Sequence, residues 1–574
     1  MMRIVLSVIF FMVISNVSYS QITKNLTLLN SKELIEKGIA KFDAENYEEA
    51  EAFFKKVPIG DTLYYTAQYE LAYVYSRQKR YEEALELFKK MLEDKSGEMN
   101  YSLIYTQMGI IYSERNQLAK AIEVFDNALS LYPYNYGLHF NKGIVYQKME
   151  DYEKAMQCFE KSLLCYPFHQ TSHYQLGISY IKQRCYIPGI LALNYAIMIY
   201  PSSPVAMNAL HTLNDLYVNG FDQYNEDNSY KASDAMYNRN KKYLKLESLV
   251  KSNFALNKNF KKKSKINHMI ITQNQFVFEN LTQNALSKTI EEQLYVPYFQ
   301  MIVKNKKDYE VFSHLLVSNT NIDEGKVNAK AMKMEKDFDA LWSRSLDMLK
   351  QVMENGLGIQ NEKPFYYQYN EKYLQAFGGY VLNEKKEKVY EGHWIILDDE
   401  GSVLREGKYE NGIANGLWKA YDENANVVNE YIMKNDTINE TAYVYFSHDK
   451  KVEAKQLKME VPFIDGKING VRKIYNRSGI LIEHSSWLDD WFDGEYLDYY
   501  SQGSLNAKAN YKKGELTGEF YAYYPNGDLK TKLFYAEKDK EGTAVYYYPN
   551  GNIESEGKIM NHAAVGKWNH YYYS

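Results

Sequence analysis

Cysteine is nearly absent: 574 residues contain only Cys158, Cys165 and Cys185. That excludes a disulfide framework as the main source of order. Cys158 and Cys165 fall seven residues apart on what reads as one helix, about 10 Å along its axis and beyond disulfide reach, so buried free thiols are expected. Beyond the first twenty residues no run of about 18 apolar residues occurs, which excludes a later membrane-spanning helix and leaves a soluble mature chain as the expectation. Neither sign of charge predominates. Sixty-eight Lys and Arg against 73 Asp and Glu leave a net charge of −5, and nothing in that balance draws the chain to nucleic acid or an anionic membrane. The one basic cluster, KKKSK at Lys261–Lys265, reads as a solvated face. Catalytic signatures are missing too: there is no GxSxG, HExxH or Walker loop, and no GxGxxG between a strand and a helix. The 11 histidines are scattered, and none falls near both a Ser or Cys and an acid in a way the repeats would bring together. The expectation is a chain that is not an enzyme and needs no cofactor.

What is present is an ordinary globular composition, 45% hydrophobic and 25% charged, in a chain too long for one core. Tyrosine is the anomaly, 56 against 25 Phe, and its apolar ring with a polar tip suits half-exposed sheet positions and binding surfaces. The opening MMRIVLSVIFFMVISNVSYSQ has Arg3, an apolar stretch Ile4–Ile14, and small Ser18 and Ser20 before Gln21. It reads as a secretory signal peptide, 1–20, and with no Cys near the cleavage point a lipid anchor is not expected. Export to a periplasm or envelope, or secretion beyond it, follows.

Small residues recur at Gly38, Ala72, Gly109, Gly143 and Gly177, in steps of 34, 37, 34 and 34. Three residues later come Tyr75, Tyr112, Tyr146 and Tyr180 in the last four units. Twelve later come Ala50, Ala84, Ala121, Ala155 and Gly189; sixteen later come Phe54, Phe88, Phe125, Phe159 and Leu193. Pro133, Pro167 and Pro201, each after a Tyr, close three of the units. Two antiparallel helices per unit are expected: small residues let the pair approach, the Phe fills the space between units, and Pro ends the second helix. The pattern resembles the tetratricopeptide repeat over about 31–201, five units, with Ser203–Tyr217 as a capping helix, and we bound the solenoid at 31–219. The resemblance implies a superhelix whose concave face receives a segment of a protein partner. Carried over, the family's groove positions are Tyr69, Tyr73, Ser76, Thr106, Ile110, Ser113, Phe140, Ile144, Gln147, Tyr174, Ile178 and Ile181. No Lys and Arg cluster of the kind that captures a carboxylate terminus occurs there. Cys165, His169 and His173, spaced by four, would make a zinc stripe on a continuous helix, but Pro167 breaks it and no metal is expected.

From 220 to 360 the period fades into a helical connector. NKNFKKKSKINH reads as polar linker, and Phe338, Leu341, Trp342, Leu346, Leu349, Val352 and Met353 mark an amphipathic helix ending near Gly356. Such helices extend the solenoid or buttress the next domain.

From 361 to 574 the period is 24. Gly392, Gly416, Gly470, Gly494, Gly518, Gly542 and Gly566 open units, with one interval of 54 holding a degenerate unit at Glu440 and about six inserted residues. Five residues after each start come Tyr421, Tyr445, Tyr475, Tyr499, Tyr523, Tyr547 and Tyr571, with Leu397 departing. The YYPNG copies at Tyr523–Gly527 and Tyr547–Gly551 predict type I′ turns with positive φ at both Asn and Gly, and segments such as YKKGELTG predict looser turns. One hairpin per unit, the tyrosines stacking along the sheet, gives an antiparallel meander. Tyr390–Trp394 (YEGHW) and GEFYAYYPNGDLK resemble MORN repeats, the latter a bacterial variant that often carries an antitoxin-like label. The resemblance implies an assembly or interaction module. Aromatic hairpin repeats also resemble wall- and choline-binding modules, although Trp is sparse here, so an envelope glycan-binding role stands as the alternative. Asp489, Asp490 and Asp493 fall in a turn and read as solvated rather than as a calcium site. The whole is an α+β multidomain repeat protein, an exported scaffold for protein partners, with an open sheet edge through which copies could associate.

Overall fold

A computed structural model describes residues 30–94, 100–221, 233–253, 260–283, 289–318, 335–355, 365–370, 373–448, 452, 454–535, 541–561 and 563–573. The signal-peptide reading of 1–20 and the helix end at Gly356 lie outside these residues. The chain divides into two compact units, Met1–Met99 and Asn100–Ser574.

In the first unit α1 (Ser31–Asp43) pairs with α2 (Tyr47–Phe54) and α3 (Tyr64–Arg77) with α4 (Tyr81–Asp94). Asn30 and Asn46 cap α1 and α2 through their side-chain oxygens, satisfying helix donors that would otherwise lack a partner. Arg80 joins the two pairs: it bonds Glu51 and Glu83, and its guanidinium lies 3.9 Å from the Tyr75 ring centre.

In the second unit α5 (Tyr101–Glu114) and α6 (Leu118–Leu129), α7 (Tyr136–Lys148) and α8 (Tyr152–Cys165), and α9 (Gln170–Lys182) and α10 (Tyr186–Ile199) repeat the same hairpin. The recurring Phe does not fill the space between repeats, as the spacing suggested. It covers the small residue of its own partner helix: a Cβ added to Gly38, Gly109 or Gly143 would lie 2.5, 2.3 or 2.6 Å from the ring of Phe54, Phe125 or Phe159. Each hairpin also turns through a left-handed residue that is never glycine: Glu45, Lys79, Asn116, Glu150 and Arg184 have φ between 57° and 62°.

The helix at Ser203–Tyr217 is not a terminal cap. As α11 (Pro204–Asn219), started by the Ser203 side chain, it packs on into α12 (Asp234–Asn240), α13 (Leu244–Lys251), α14 (Met269–Glu279), α15 (Val296–Lys304), α16 (Lys306–Ser318) and α17 (Glu335–Glu354). One hydrophobic core runs from Ala155 to Met353 and makes the connector a single body with the fifth repeat. Several polar side chains buried with it are paired. Asn194 and Asn274 exchange side-chain hydrogen bonds of 3.2 and 2.7 Å, and Tyr217 Oη donates to Asn274 at 2.8 Å. Buried Arg239 holds Glu160, Glu291 and Tyr180 together. α10 has no side-chain cap of its own; Glu247 of α13 accepts from its first two backbone amides at 2.9 and 3.3 Å. In α17, Leu341, Leu349 and Met353 are buried, and Glu354 pairs with Lys388 of the sheet.

Among the described residues the sheet has 19 strands, β1 (Phe365–Asn370), β2 (Tyr373–Leu382), β3 (Lys388–Leu397), β4 (Val403–Glu410), β5 (Ile413–Tyr421), β6 (Val427–Lys434), β7 (Thr437–Tyr445), β8 (Leu457–Ile464), β9 (Lys467–Ile468), β10 (Gly470–Tyr475), β11 (Leu481–Leu488), β12 (Trp491–Tyr499), β13 (Leu505–Lys512), β14 (Glu515–Leu516), β15 (Gly518–Tyr523), β16 (Leu529–Tyr535), β17 (Glu541–Tyr547), β18 (Ile553–Met560) and β19 (Ala563–His570). All pairings are antiparallel between neighbours along the chain, the two-residue strands being bridged by β8–β10 and β13–β15. The degenerate unit keeps this geometry, and Glu440 takes the role of the opening glycine at φ 66°.

The turns reverse the expectation. In both YYPNG copies only Gly is left-handed: Gly527 has φ 91° and Gly551 φ 84°, while Asn526 and Asn550 stay at negative φ. Gly527 N donates to Tyr524 O and Tyr524 N to Asp528 O, at 2.8 and 2.7 Å, which is a three-residue loop with a Gly bulge and Pro at the first central position. Proline's fixed φ makes that loop natural and a type I′ turn centred on Asn-Gly unnecessary. The two-residue turns with paired positive φ are those read as looser: Asn411-Gly412, Asn435-Asp436, Asp465-Gly466, Asp489-Asp490 and Lys513-Gly514. A side chain of the preceding unit ties down each one. Asn411 N donates to Glu391, Asn435 N to Asn415, Asp465 N to Asn439, Asp489 N to Asn469 and Lys513 N to Asp493.

The tyrosines work through their hydroxyls rather than by stacking as a ladder. Tyr421, Tyr445, Tyr475 and Tyr571 donate to Glu406, Glu430, Glu460 and Glu556, each fifteen residues back. The second Tyr of each later pair reaches forward instead: Tyr500, Tyr524 and Tyr548 donate to the carbonyls of Tyr523, Tyr547 and Tyr571 at 2.8, 2.8 and 2.9 Å. In earlier units Asp398, Asp422 and Asn476 hold that place and accept from amides of their own turns.

Ala425, at φ 56°, and Glu440 bear a left-handed backbone that costs an L-residue about 1–2 kcal/mol, so Ala425→Gly and Glu440→Gly are each expected to stabilise the sheet by about 1 kcal/mol in urea unfolding; no gain would refute the assignment of strain. Tyr524→Phe removes one inter-unit hydrogen bond and is expected to cost about 1 kcal/mol by the same measurement, whereas Tyr523→Phe, whose hydroxyl holds no such tether, is expected to cost less.

Candidate partner-binding surfaces

The groove positions stand on the first helix of each repeat at i, i+4 and i+7, one stripe of an α-helix. In the first unit Tyr69 and Tyr73 are half-buried on α3, their rings 5.8 Å from Phe88 and 5.1 Å from Phe42, and Ser76 is buried. In the second unit Thr106 and Ile110 of α5, Phe140, Ile144 and Gln147 of α7, and Tyr174 and Ile178 of α9 are half-buried, so each keeps part of its side chain at the surface. Ser113 is buried and receives Lys148 Nζ at 2.9 Å. Ile181 is only 1% exposed, against Gly189, and is a packing residue rather than a groove residue. Thr106 bonds back to Ser102 O, and Gln147 Nε2 donates to Ser179 Oγ at 2.8 Å and to Gln175 O, linking α7 to α9.

The zinc stripe is engaged elsewhere. Cys165 is buried, His169 shares a 2.7 Å hydrogen bond with Ser172 Oγ, and His173 is held between Tyr295 Oη and Pro167 O at 2.7 and 2.9 Å. Burial pushes His169 down to about 4 and His173 to about 3, so both are neutral near pH 7. Among the described residues no three His, Cys, Asp or Glu side chains converge as metal ligands. Asp489 and Asp490 are the two left-handed residues of their turn, and Asp490 accepts from Ile468 N at 2.7 Å.

No sequence signal marked the contact between the helical repeats and the sheet. The loop between α6 and α7 meets the first three-residue turn: Tyr134 N donates to Gly401 O at 3.0 Å, and Asn135 Nδ2 donates to Glu400 O at 2.9 Å. Gly401, at φ 84°, sits so close that an added Cβ would lie 2.4 Å from the Tyr134 carbonyl carbon. Tyr369 Oη donates to Leu164 O at 2.6 Å, and Leu164, Tyr367, Leu374, Phe377 and Leu397 form a small core. Beside it the rings of Tyr136, Tyr166 and Tyr373 meet at 5.0 to 5.7 Å, and His169 bridges Tyr136 to the groove residue Phe140 at 5.0 and 4.9 Å.

On the sheet, the ring of Trp394 covers Gly378, Trp418 covers Gly407 and Trp568 covers Gly557, which an added Cβ would reach at 2.4, 2.1 and 2.4 Å. These indoles hold the sheet together and are not free to form a cage.

Residues 63–133 and 137–169 match family models of the tetratricopeptide repeat, and 492–513, 516–537 and 540–561 match the MORN repeat variant. The chain thus carries tetratricopeptide repeats on its N-terminal side and MORN-variant repeats on its C-terminal side. No curated protein matches it. Among solved structures it is similar to TTC0263, a thermophilic tetratricopeptide repeat protein of Thermus thermophilus (18% identity, 32% of this chain and 99% of that one, TM-score 0.28). It is also similar to YrrB, described as such a protein with an unusual peptide-binding site (22% identity, 31% and 91%, TM-score 0.24). A third is MamA from Desulfovibrio magneticus (16% identity, 30% and 97%, TM-score 0.26).

Glu400 gives the junction a pH dependence. Burial, then the nearby Asp398, raises its carboxyl from 4.5 to about 7. A raised folded pKa means the folded state holds the proton more tightly, so its stabilisation is complete below about pH 4.5 and is lost as pH rises through 7. Glu400→Gln is expected to flatten the fall in melting temperature between pH 5 and 8, leaving the variant more stable than the parent at pH 8; parallel pH profiles would refute this.

Proposed function

We propose that this chain is an exported, non-catalytic scaffold that holds a segment of a protein partner along the stripe of α5, α7 and α9, while its sheet offers a second contact surface. The observation that carries the reading is the half-buried run Ile110, Phe140, Ile144, Tyr174 and Ile178: apolar side chains that keep open surface along one stripe. Tetratricopeptide repeats serve as protein-interaction frames, which supports the same use here. The non-catalytic part rests on occupation: the histidines and aromatic rings named above are engaged in packing and hydrogen bonds. Export rests on the leader pattern of the first twenty residues, and among the described residues no helix is long and apolar enough to cross a membrane. Envelope glycan binding is the second reading: Trp394 and Trp418, at 1% and 3% exposed, are closed to a ligand, whereas Trp491 on β12 is 59% exposed.

The test is chemical crosslinking in an envelope fraction with tagged full-length chain, whose mature mass reports whether cleavage falls before Gln21. Ile144→Glu and Ile178→Glu place a charge on the stripe without filling a core site. Both are expected to lose the crosslinked partner while melting with the parent. Retention of the same partner at the same yield, or capture only of wall glycan, would overturn the reading.

A further inference from the structure

The groove stripe does not end at the last repeat helix. Phe140 meets His169, His169 meets Tyr136, and Tyr136 stacks on Tyr373, which belongs to β2 of the sheet and is 37% exposed. The apolar strip of the solenoid therefore passes without a break into rings supplied by the other repeat array. The sheet cannot drift from this position freely, because Tyr134, Asn135 and Tyr369 bond it to the inter-repeat loops through backbone carbonyls.

The chemistry of the lining is specific. On α5, α7 and α9 the charged residues are Glu114, Lys142, Lys148 and Lys182; Lys142 pairs with Asp126 of α6 and Lys148 is engaged with Ser113, so none of the groove positions themselves is charged. Between them lie apolar residues and amides. The half-buried Gln107 and Gln175 side chains hold no hydrogen bond among the described residues and offer donors and acceptors to a peptide backbone. A charge on the middle of such a segment would lose hydration among the apolar side chains without a counter-ion beside it. An extended neutral segment would keep its main-chain hydrogen bonds on the amides. Its one large ring would find three tyrosine rings at the sheet end, with the bridging imidazole neutral.

We propose that the groove takes an uncharged, extended segment of a partner protein, and that an aromatic side chain of that segment docks on the Tyr136, Tyr166 and Tyr373 cluster, so that the MORN-variant sheet completes a site begun by the helical repeats. The inference rests on the groove reading above and adds to it both the class of ligand and a specificity residue, Tyr373, from outside the solenoid.

The test uses full-length protein and fluorescein-labelled, end-blocked nonapeptides built from Ala, Ser, Asn, Gln, Val and Leu, with Phe or Leu at one central position, and matching peptides with two Asp or two Lys. Anisotropy titration is expected to show the neutral Phe peptides binding about tenfold more tightly than their Leu partners and than the charged set. Tyr373→Ala is expected to abolish the Phe preference while leaving the Leu peptides unchanged. Tyr373→Leu, which keeps apolar bulk at the junction, should do the same, and both melting curves report whether the sheet stays docked. A Phe preference that survives both substitutions overturns the composite site and leaves the groove reading standing. Binding that survives Ile144→Glu overturns the groove reading itself. Equal binding by charged and neutral peptides, or binding by none of the panel, overturns the inference.

Discussion

A large ring laid on bare backbone is the contact on which both halves of this protein depend. In the helical repeats Phe54, Phe125 and Phe159 lie on Gly38, Gly109 and Gly143; in the sheet Trp394, Trp418 and Trp568 lie on Gly378, Gly407 and Gly557. The physics is the same in each case. Removing a Cβ lets the ring approach to van der Waals distance, and the buried area and dispersion gained outweigh the entropy of a glycine in a regular element, about 0.5–1 kcal/mol. In the helical repeats the contact lies within one hairpin and makes each repeat a unit before repeats meet, whereas in the sheet each Trp reaches back to the last strand of the preceding unit and joins one repeat to the next.

Contacts between units are then added at the turns. In the sheet, one set of turns is stitched by side chains from the preceding unit onto the two-residue turns, and another by tyrosine hydroxyls on backbone carbonyls across the three-residue turns. Stability of such an array is a sum of unit and neighbour terms, so the degenerate unit at Glu440 is tolerated: it loses its glycine but keeps its pairings and its Tyr445–Glu430 hydrogen bond. Where the glutamate fifteen residues back is replaced, as by Lys508 or Lys532 beneath Tyr523 and Tyr547, the adjacent Tyr has taken up the forward tether instead. The two bonds are alternative ways of fixing the same inter-unit register.

The periods were legible because each repeat keeps its glycines and aromatics at fixed places, and the spacing alone located Gly38 to Gly177 and Gly392 to Gly566. Local geometry was less legible. Asn-Gly suggested a two-residue turn in YYPNG, but the preceding Pro525 already fits the first central place of a three-residue loop, and of the true two-residue turns Asn411-Gly412 and Asp465-Gly466 carry that signal while Asp489-Asp490 and Lys513-Gly514 carry a weaker one. The connector was opaque for a different reason. α14 is buried nearly all round and so shows no single apolar face, and its buried residues include the polar Asn274 and Gln275, which bond to Asn194 and to the Lys261 carbonyl. Of the groove, the half-buried positions followed from repeat register, whereas Ile181 lay out of reach because Gly189 on the facing helix draws it inward. The junction left no trace, since its hydrogen bonds are accepted by backbone carbonyls that any sequence possesses and its small apolar core follows neither repeat period.

The make-up of that junction bears on function. Contacts through the Gly401 and Glu400 carbonyls, a turn too tight for any side chain, and a tyrosine hydroxyl on Leu164 O fix position beside the small core of Leu164, Tyr367, Leu374, Phe377 and Leu397. The residues left beside it, Tyr373 on β2 and Phe140, Ile144 and Tyr174 on the helices, are neutral, bulky and partly open. A surface of that kind gains from burying a partner's apolar groups, and the imidazole set among these rings, His169, is kept neutral by burial. Recognition is thus the chemistry this arrangement favours, and because the surface is drawn from both arrays, moving the sheet relative to the repeats would change the site itself.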